Sequence, residues 1–179
     1  MNKDIERIAF TDGQLALAAA TLGKQISDSY NEDEGLVLIC VLKGACLFFT
    51  DLLRQITLPV TIQFITIGSY GAGTTSSGDV TLKQDITADI TGKDVLIVED
   101  IIDTGNTLYF LKKHFEGKGA RSVRVCALLN KREARTADID ADFSGFDCPN
   151  EFLVGYGLDY AEKYRNLSYV GVLKREIYS

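Results

Sequence analysis

The sequence predicts an α/β fold in which helices flank a mostly parallel, twisted sheet. Two unbroken apolar runs, at residues 36–42 and 95–98, have the composition of strands that are buried on both faces, as in parallel sheets. Each run is followed by a short polar loop and then by apolar residues at helical spacing. Repeated units of strand, loop and helix are typical of this fold class, which binds ligands at the carboxyl ends of its strands.

Length and composition limit the kinds of protein that this chain can be. Its 179 residues, of which 46% are hydrophobic and 25% charged, suffice for one well-buried domain, so we expect a single domain over residues 1–179. No apolar run could span a bilayer and no apolar secretory segment opens the chain, which predicts a cytoplasmic protein without a membrane partner. The net charge of −6 argues against a nucleic-acid partner, because binding a phosphate backbone requires a positive surface.

The cysteines give no sign of a metal site. They are scattered without paired ligand spacing, and His114 is the single histidine of the chain. We therefore expect buried, reduced thiols at Cys40, Cys46, Cys126 and Cys148.

The N-terminal segment predicts a short strand at residues 7–10 and then a helix. Residues 11–14, Thr-Asp-Gly-Gln, have the spacing of a capping box, which satisfies the first free amides of a helix. The apolar face of this helix contains Leu15, Ala19, Leu22 and Ile26. We expect the helix to belong to the scaffold.

The first complete unit of strand, loop and helix follows. After the strand at residues 36–42, Lys43 and Gly44 form a turn, and residues 45–53 resume a helical pattern. By its pattern alone, a Lys-Gly turn at a strand end is an ordinary connection.

The next segment combines a strand with a glycine-rich stretch. Residues 61–67 alternate as a strand does, and residues 68–78 are rich in Gly, Ser and Thr. Two glycine patterns in this stretch approach nucleotide-binding motifs, but Ser76 stands where a dinucleotide fingerprint needs glycine, and Asp79 follows where a P-loop needs lysine. Composition is equally compatible with an ordinary hairpin between Ile67 and Val80.

The central strand ends in two adjacent carboxylates, Glu99 and Asp100, and a polar turn follows it. The turn consists of Asp103, Thr104, Gly105, Asn106 and Thr107, and a helix with Leu108, Leu111 and Phe115 on one face comes next. Glycine, hydroxyl groups and the unpaired amides of a helix start suit a phosphate group. Carboxylates accept hydrogen bonds from sugar hydroxyls and coordinate divalent metals, so the unit predicts a sugar-phosphate site. The alternative is that Asp103 only caps the helix and the two acids are solvated.

The C-terminal third predicts two further strands. Gly117 and Gly119 end the central helix, residues 122–129 form a strand that leads to Lys131, and residues 169–173 form a final strand. By pattern alone, Lys131 and Arg165 are solvated surface residues and Phe152 is a core residue.

Residues 95–108 read Val-Leu-Ile-Val-Glu-Asp-Ile-Ile-Asp-Thr-Gly-Asn-Thr-Leu. This run resembles the phosphoribosyl-diphosphate-binding motif of the type I phosphoribosyltransferases, and it matches the motif at every position. Glu-Asp-Ile-Ile-Asp-Thr-Gly is most similar to the branch of the family that uses hypoxanthine and guanine. The resemblance covers nearly the whole chain. It implies the family's fold, with a small hood made from terminal segments, and transfer of a phosphoribosyl group to these 6-oxopurines in purine salvage, with release of pyrophosphate.

The resemblance also implies roles for individual residues that bind phosphoribosyl diphosphate. Glu99 and Asp100 would hold the ribose hydroxyls, and Asp103 would accept a proton from purine N7 as the catalytic residue. The 5′-phosphate would be bound by the loop Asp103, Thr104, Gly105, Asn106 and Thr107. Lys43 and Gly44, after a cis peptide bond from Leu42, would bind pyrophosphate together with Arg165. The cofactor would be Mg²⁺ (magnesium), with the carboxylates Glu99, Asp100 and Asp159 at its site.

The purine and the lid have their own matching residues. Lys131 would donate to the 6-oxo group, Phe152 would stack on the ring, and Leu153 would contribute backbone contacts. Ser69, Tyr70 and the loop after them would form a lid that closes over the site during transfer. Departures from the family are minor: Gly68 stands where several relatives have serine, and Asn106 holds a variable position. A homodimer or homotetramer is the expected assembly.

Three other functions compete with this one. An RNA-binding regulator on the same fold would need a basic face, which the net charge disfavours. A phospho-acceptor receiver domain would place Asp100 at a strand end but would not need the Asp-Thr-Gly-x-Thr loop. Within the enzyme class, a relative that uses xanthine or a pyrimidine is the main competitor.

Overall fold

The structure is a computed structural model that describes residues 3–69 and 80–179. Its strands are β1 (Ile5–Phe10), β2 (Leu36–Leu42), β3 (Val60–Ser69), β4 (Val80–Gln84), β5 (Asp94–Ile102), β6 (Ser122–Asn130), β7 (Phe143–Asp147), β8 (Leu153–Val154) and β9 (Val170–Leu173). Its helices are α1 (Asp12–Ser29), α2 (Cys46–Leu53), α3 (Asn106–Gly117) and α4 (Arg175–Tyr178). Short 3₁₀ turns lie at Glu32–Glu34 and Arg132–Ala134.

A six-stranded sheet in the order β4-β3-β2-β5-β6-β7 forms the centre of the molecule. All neighbouring pairs are parallel except β3 and β4, which are antiparallel. This arrangement confirms the predicted α/β class. The strand β4, which the sequence suggested only as the far arm of a hairpin, pairs Leu82 with Ile67.

The two central strands are apolar throughout because each of them contributes to two cores. In β2, Leu38 and Cys40 face the core beneath α1 and α2, whereas Val37 and Ile39 face the core beneath α3. The strand β5 alternates in the same way, and Cys40 pairs with Val98 across the two strands. Burial on both faces therefore explains the unbroken apolar runs seen in the sequence.

Helix α1 begins as its sequence predicts. The Thr11 side chain accepts from the Gln14 amide at 3.3 Å, and the Gln14 side chain accepts from the Thr11 amide at 2.9 Å, which completes the capping box. The predicted apolar face is buried and consists of Leu15, Ala19, Leu22 and Ile26.

A second sheet, the hood, is antiparallel and has the order β1-β9-β8. It brings the first and last strands of the chain together, with Ile5 beside Leu173, and Val154 completes its small buried cluster. Terminal segments thus build the hood, as the resemblance implied, and β8 adds its third strand.

Cys40, Cys126 and Cys148 are buried free thiols, as expected, but Cys46 at the start of α2 is only partly buried. Burial raises the pKa of the Cys40 thiol to about 12, and it raises the pKa of Cys126 further. Over residues 3–69 and 80–179, no helix is both long and apolar enough to cross a membrane.

Candidate active site

The candidate site lies where β2, β5 and β6 end at the same edge of the sheet. The turn at Lys43 follows β2, the phosphate loop follows β5, and Lys131 follows β6. The sequence predicted that the central strand ends at Glu99 and Asp100, but β5 includes both acids and continues to Ile102, because its pairing with β6 extends that far. Because parallel strands place their carboxyl ends side by side, segments from distant parts of the chain meet there. Beside the phosphate loop is a cleft of about 310 Å³, lined among others by Glu99, Asp103 and Thr107.

Glu99 and Asp100 form a buried pair of carboxylates, each 8% exposed. Burial, followed by the neighbouring Asp100 charge, raises the pKa of Glu99 well above its usual range, and burial raises the pKa of Asp100. Within the described residues neither carboxylate has an ion-pair partner at contact distance. The pair is therefore suited to a ligand that brings hydroxyl donors or a cation.

The phosphate loop turns sharply at Gly105, which has φ = 86° and precedes the first residue of α3. A Cβ atom at Gly105 would meet the side chains of Arg135 and Ile139, so glycine is required both by conformation and by space. The first amides of α3 lack helical partners, and Thr104 and Thr107 add hydroxyl groups beside them. Local sequence and geometry therefore agree on an anion site.

Arg135 holds the back of this loop. Its Nε donates to the carbonyl of Asp103 at 3.2 Å, and a terminal nitrogen donates to the Asn130 side chain at 2.5 Å. The amides of Thr136 and Ala137 both donate to the Thr104 carbonyl at 3.0 Å. One segment thus ties the phosphate loop to the end of β6, next to Lys131.

The turn after β2 lies against the acid pair. The peptide bond between Leu42 and Lys43 is cis, as the resemblance implied. Gly44 packs so closely on the Asp100 carboxylate that no Cβ would fit, and a Cβ at Gly157 would meet the Gly44 carbonyl. Gly157 also has φ = 101°, so both glycines are needed for this approach.

Three charged residues of the loop between β8 and β9 face this turn. Arg165 pairs with Asp159 at 2.8 Å and with Glu162 at 3.3 Å, and it donates to the Gly157 carbonyl at 2.7 Å. Glu162 also pairs with Lys43 at 2.9 Å. The resemblance implied separate ligands for Arg165 and Asp159, but in the structure these two residues are paired with each other.

On the other side of the phosphate loop, Lys131 is buried at 8% exposure, and its Nζ lies 4.0 Å from Asp103 Oδ2. Phe152 lies at the hood, with Tyr178 stacked on it at 4.6 Å between ring centroids and Tyr160 edge-on at 5.4 Å. Leu153 is buried in β8. The sequence pattern alone predicted a solvated Lys131, and the burial of this residue shows that this prediction is wrong.

The structure thus brings together the predicted acids, phosphate loop, Lys43, Gly44 and Lys131, while Asp159 and Arg165 reach them from the hood side. Of the two residues expected in the lid, Ser69 ends β3, and Tyr70 lies outside the described residues.

Three residues of the site were missed by sequence reasoning. Arg135 and Glu162 had no local signal, because each acts on a segment distant in sequence. Gly157 had one, since Gly-Tyr-Gly is typical of a turn with left-handed residues, and the φ angles of Gly155, Tyr156 and Gly157 are 100°, 51° and 101°.

The donors at the site are compatible with magnesium. Glu99, Asp100 and Asp159 offer only carboxylate oxygens, which this hard cation prefers, and the buried acid pair has no cation of its own within the described residues. No group of three protein ligands forms a ready cage in that part of the chain. A magnesium ion would therefore need oxygen ligands from a substrate, as is usual for ions that bind with phosphates.

Fold and site together define a protein that binds a phosphorylated sugar at the carboxyl edge of a parallel sheet. The model of the phosphoribosyl transferase domain matches residues 9–161. The chain belongs to the phosphoribosyltransferase family.

Individual relatives extend the likeness to the full length. The chain is 46% identical over 179 residues to the hypoxanthine-guanine phosphoribosyltransferase of Streptococcus thermophilus, covering 100% of this chain and 99% of the relative. It is 47% identical over 180 residues to the enzyme of the same name from Mycobacterium tuberculosis, covering 98% and 89%. The crystal structure of a hypoxanthine phosphoribosyltransferase from Staphylococcus aureus matches with a TM-score of 0.93 at 40% identity, covering 98% and 95%. The resemblance seen in the sequence is thereby confirmed.

Proposed function

We propose that this protein transfers the 5-phosphoribosyl group of phosphoribosyl diphosphate to hypoxanthine or guanine in purine salvage, with release of pyrophosphate. The observation that supports the proposal most directly is the 4.0 Å distance between Lys131 Nζ and Asp103 Oδ2 at the phosphate loop. The chain that carries this pair belongs to the phosphoribosyltransferase family. A donor for a 6-oxo group and an acceptor for a ring proton at that spacing suit a 6-oxopurine. The full-length relatives named for this activity support it.

The sugar phosphate is held at two points. The loop from Asp103 to Thr107 takes the 5′-phosphate through the first amides of α3 and the threonine hydroxyls. Glu99 and Asp100 accept hydrogen bonds from the two ribose hydroxyls, which replaces the water that these carboxylates lose on burial. Fixing both ends of the ribose orients its C1 atom toward the base.

The leaving group departs on the opposite side. As pyrophosphate leaves, C1 gains positive charge and the departing oxygens gain negative charge. Lys43, the backbone of Gly44 and Arg165 neutralise the departing oxygens. When bound at Glu99, Asp100 and Asp159, Mg²⁺ adds positive charge to the pyrophosphate.

Three residues bind the purine base, and Asp103 removes its proton. Phe152 stacks on the purine, Leu153 offers backbone groups to its edge, and Lys131 donates to the 6-oxo group. The purine nitrogen N9 attacks C1, and Asp103 accepts the proton that N7 releases. Ser69 and Tyr70 belong to a lid that excludes water during this step.

The arrangement of the whole protein is also part of the proposal. We expect one domain over residues 1–179, a cytoplasmic enzyme, and a homodimer or homotetramer. Ile62 and Phe64 on β3 and Leu47 on α2 are about 40% exposed, and apolar surface of this kind is typical of a subunit interface. Sedimentation of the purified protein would give its assembly state.

A spectrophotometric assay tests the reaction directly. Phosphoribosyl diphosphate and Mg²⁺ are offered with hypoxanthine, guanine, xanthine, adenine and a pyrimidine base in turn. We expect nucleotide from hypoxanthine or guanine. Turnover of xanthine or the pyrimidine alone would assign the protein to another branch, and no turnover with any base would refute the proposal.

A further inference from the structure

The two cations proposed to bind pyrophosphate are already bridged by one carboxylate. Glu162 Oε2 lies 2.9 Å from Lys43 Nζ, and Glu162 Oε1 lies 3.3 Å from a terminal nitrogen of Arg165. Each oxygen thus contacts one cation. A phosphate group of pyrophosphate would present two oxygens to the same two cations in the same manner.

The backbone around Glu162 is shaped to hold the side chain there. Ala161 and Glu162 have φ angles of 51° and 63°, in the left-handed region that residues with side chains seldom adopt. The Glu162 amide donates to Asp159 Oδ2 at 2.8 Å, which secures this turn. Residues in sparsely populated backbone conformations are concentrated at functional sites.

The bridge is also easy to displace. The side chains of Lys43 and Glu162 are 64% and 67% exposed, and ion pairs that are so well solvated contribute little to stability. A multivalent anion can therefore replace the carboxylate.

One donor at the site remains unfilled. The Nε atom of Arg165 is buried and has no hydrogen-bond partner in the described residues, although the two terminal nitrogens make three polar contacts. Buried donors are nearly always paired. Arg165 therefore has hydrogen-bonding capacity that its protein partners do not use.

We propose that Glu162 is an internal substitute for pyrophosphate, which pairs with Lys43 and Arg165 in the free protein and must leave them when phosphoribosyl diphosphate binds. This inference rests on the proposed function. Returning to the cations as the product departs, Glu162 competes with pyrophosphate and speeds its release. It is a positioning residue that sets pyrophosphate affinity without touching the reacting atoms.

The decisive variant is Glu162→Gln, which keeps the shape of the side chain and removes its charge. Isothermal titration with inorganic pyrophosphate and Mg²⁺ should show binding tightened by about two- to fivefold, the worth of one exposed ion pair. In steady-state assays, KM for phosphoribosyl diphosphate should fall, and inhibition by pyrophosphate should strengthen. Affinity for inosine monophosphate in the absence of pyrophosphate should not change.

Glu116→Gln is a matched control. Glu116 pairs with Lys113 at the same 2.9 Å distance on an exposed face of α3, remote from both cations, so its loss should change neither pyrophosphate binding nor KM. Thermal unfolding of both variants checks that they fold.

Unchanged or weakened pyrophosphate binding in folded Glu162→Gln would overturn the inference, because it would mean that the carboxylate only holds Lys43 in place. Failure of the proposed function looks different, since the native protein itself would then bind neither pyrophosphate nor the nucleotide.

Discussion

Asp103 is an acid inside a loop whose other groups are suited to an anion. Its carboxylate lies 4.0 Å from the Lys131 ammonium, and Arg135 holds its carbonyl from behind. Repulsion from a bound phosphate would disfavour an acid there unless it had a task. Accepting the purine proton is a task that fits both the position and the neighbouring cation.

Replacing Asp103 with asparagine should therefore slow transfer while leaving substrate binding intact. We expect kcat to fall by roughly 10² to 10⁴, the usual worth of a positioned proton acceptor, with phosphoribosyl-diphosphate affinity close to native. Single-turnover kinetics and titration measure the two effects. The control is Asp138→Asn, at an exposed aspartate of the loop between β6 and β7. An unchanged kcat in folded Asp103→Asn would remove Asp103 from the mechanism.

Lys131 should decide which purines react. Its ammonium carries only donors, so it satisfies a 6-oxo group and opposes the 6-amino group of adenine. Sites built on such hydrogen bonds can discriminate by roughly 10⁴, because the mismatch leaves buried polar groups unpaired. Stacking on Phe152 adds nothing to this choice, since both purines offer similar rings.

The measurement is kcat/KM for hypoxanthine and adenine in the native protein and in Lys131→Ala. We expect strong preference for hypoxanthine in the first and loss of hypoxanthine use in the second. Adenine accepted within about tenfold of hypoxanthine by the native protein, or hypoxanthine use unaffected by the substitution, would contradict the role of Lys131.

At the scale of elements, α2 and the loop between β8 and β9 must keep a fixed relative position. The turn at Lys43 leads into α2, and the loop carries Arg165. The Tyr156 hydroxyl makes this connection by donating to Asp51 Oδ2 on α2 at 2.5 Å. Burial, and then the hydrogen bond to Asp51, raises the pKa of Tyr156, so the hydroxyl keeps its proton at all ordinary pH values.

Tyr156→Phe should loosen this connection. The loss of one hydrogen bond to a charged group should lower the free energy of unfolding by about 1.5 to 3 kcal/mol. Because the loop carries Arg165, we also expect KM for phosphoribosyl diphosphate to rise more than KM for the base. Denaturant titration and steady-state kinetics measure these effects. Tyr169→Phe is the control, since the Tyr169 hydroxyl is buried with no partner in the described part of the chain; equal effects of both variants would refute a specific role for the Tyr156 hydroxyl.

At the scale of the whole molecule, the two ends of the central sheet have different tasks. The carboxyl ends of the strands form the site, whereas the opposite edge is secured by Asp94, the first residue of β5. Its carboxylate accepts from Arg121 at 3.0 and 2.6 Å and from the Ser122 hydroxyl at 2.6 Å. The Arg121 guanidinium holds the pKa of Asp94 below its usual range.

A lowered pKa in the folded state means that the unfolded chain binds more protons as the pH falls. The contribution of Asp94 is therefore fully present above the unfolded pKa of about 3.9 and is lost as the pH falls through the lower, folded value. Asp94→Asn should reduce the free energy of unfolding at pH 7 by about 1 to 3 kcal/mol, and the difference from the native protein should narrow in acid.

Denaturant titration at pH 7 and at acid pH measures both quantities. Asp28→Asn, which breaks an exposed pair with Lys24 on α1, should change stability little at either pH. Since Asp94 lies at the edge of the sheet remote from the site, activity of the folded variant should remain near native. If the difference in the free energy of unfolding between Asp94→Asn and the native protein stayed constant with pH, the stabilising role of ionised Asp94 would be contradicted.

The sequence by itself determined the features that depend on neighbouring residues. Unbroken apolar runs identified β2 and β5, and the capping box located the start of α1. One continuous stretch carried both the acids, which lie in β5, and the phosphate loop that follows it. These properties follow from side-chain periodicity and backbone preference within a few residues, which a linear pattern records.

Only the tertiary structure decided which distant residues meet. Lys43 pairs with Glu162 across 119 positions, Tyr156 reaches Asp51 across 105, and Arg135 supports Asp103 across 32. Each contact depends on strand order, on the path of the loops and on the close approach that Gly44 and Gly157 allow. Local pattern contains none of this, because an exposed glutamate or arginine in a loop looks the same whether its partner is water or a residue far along the chain.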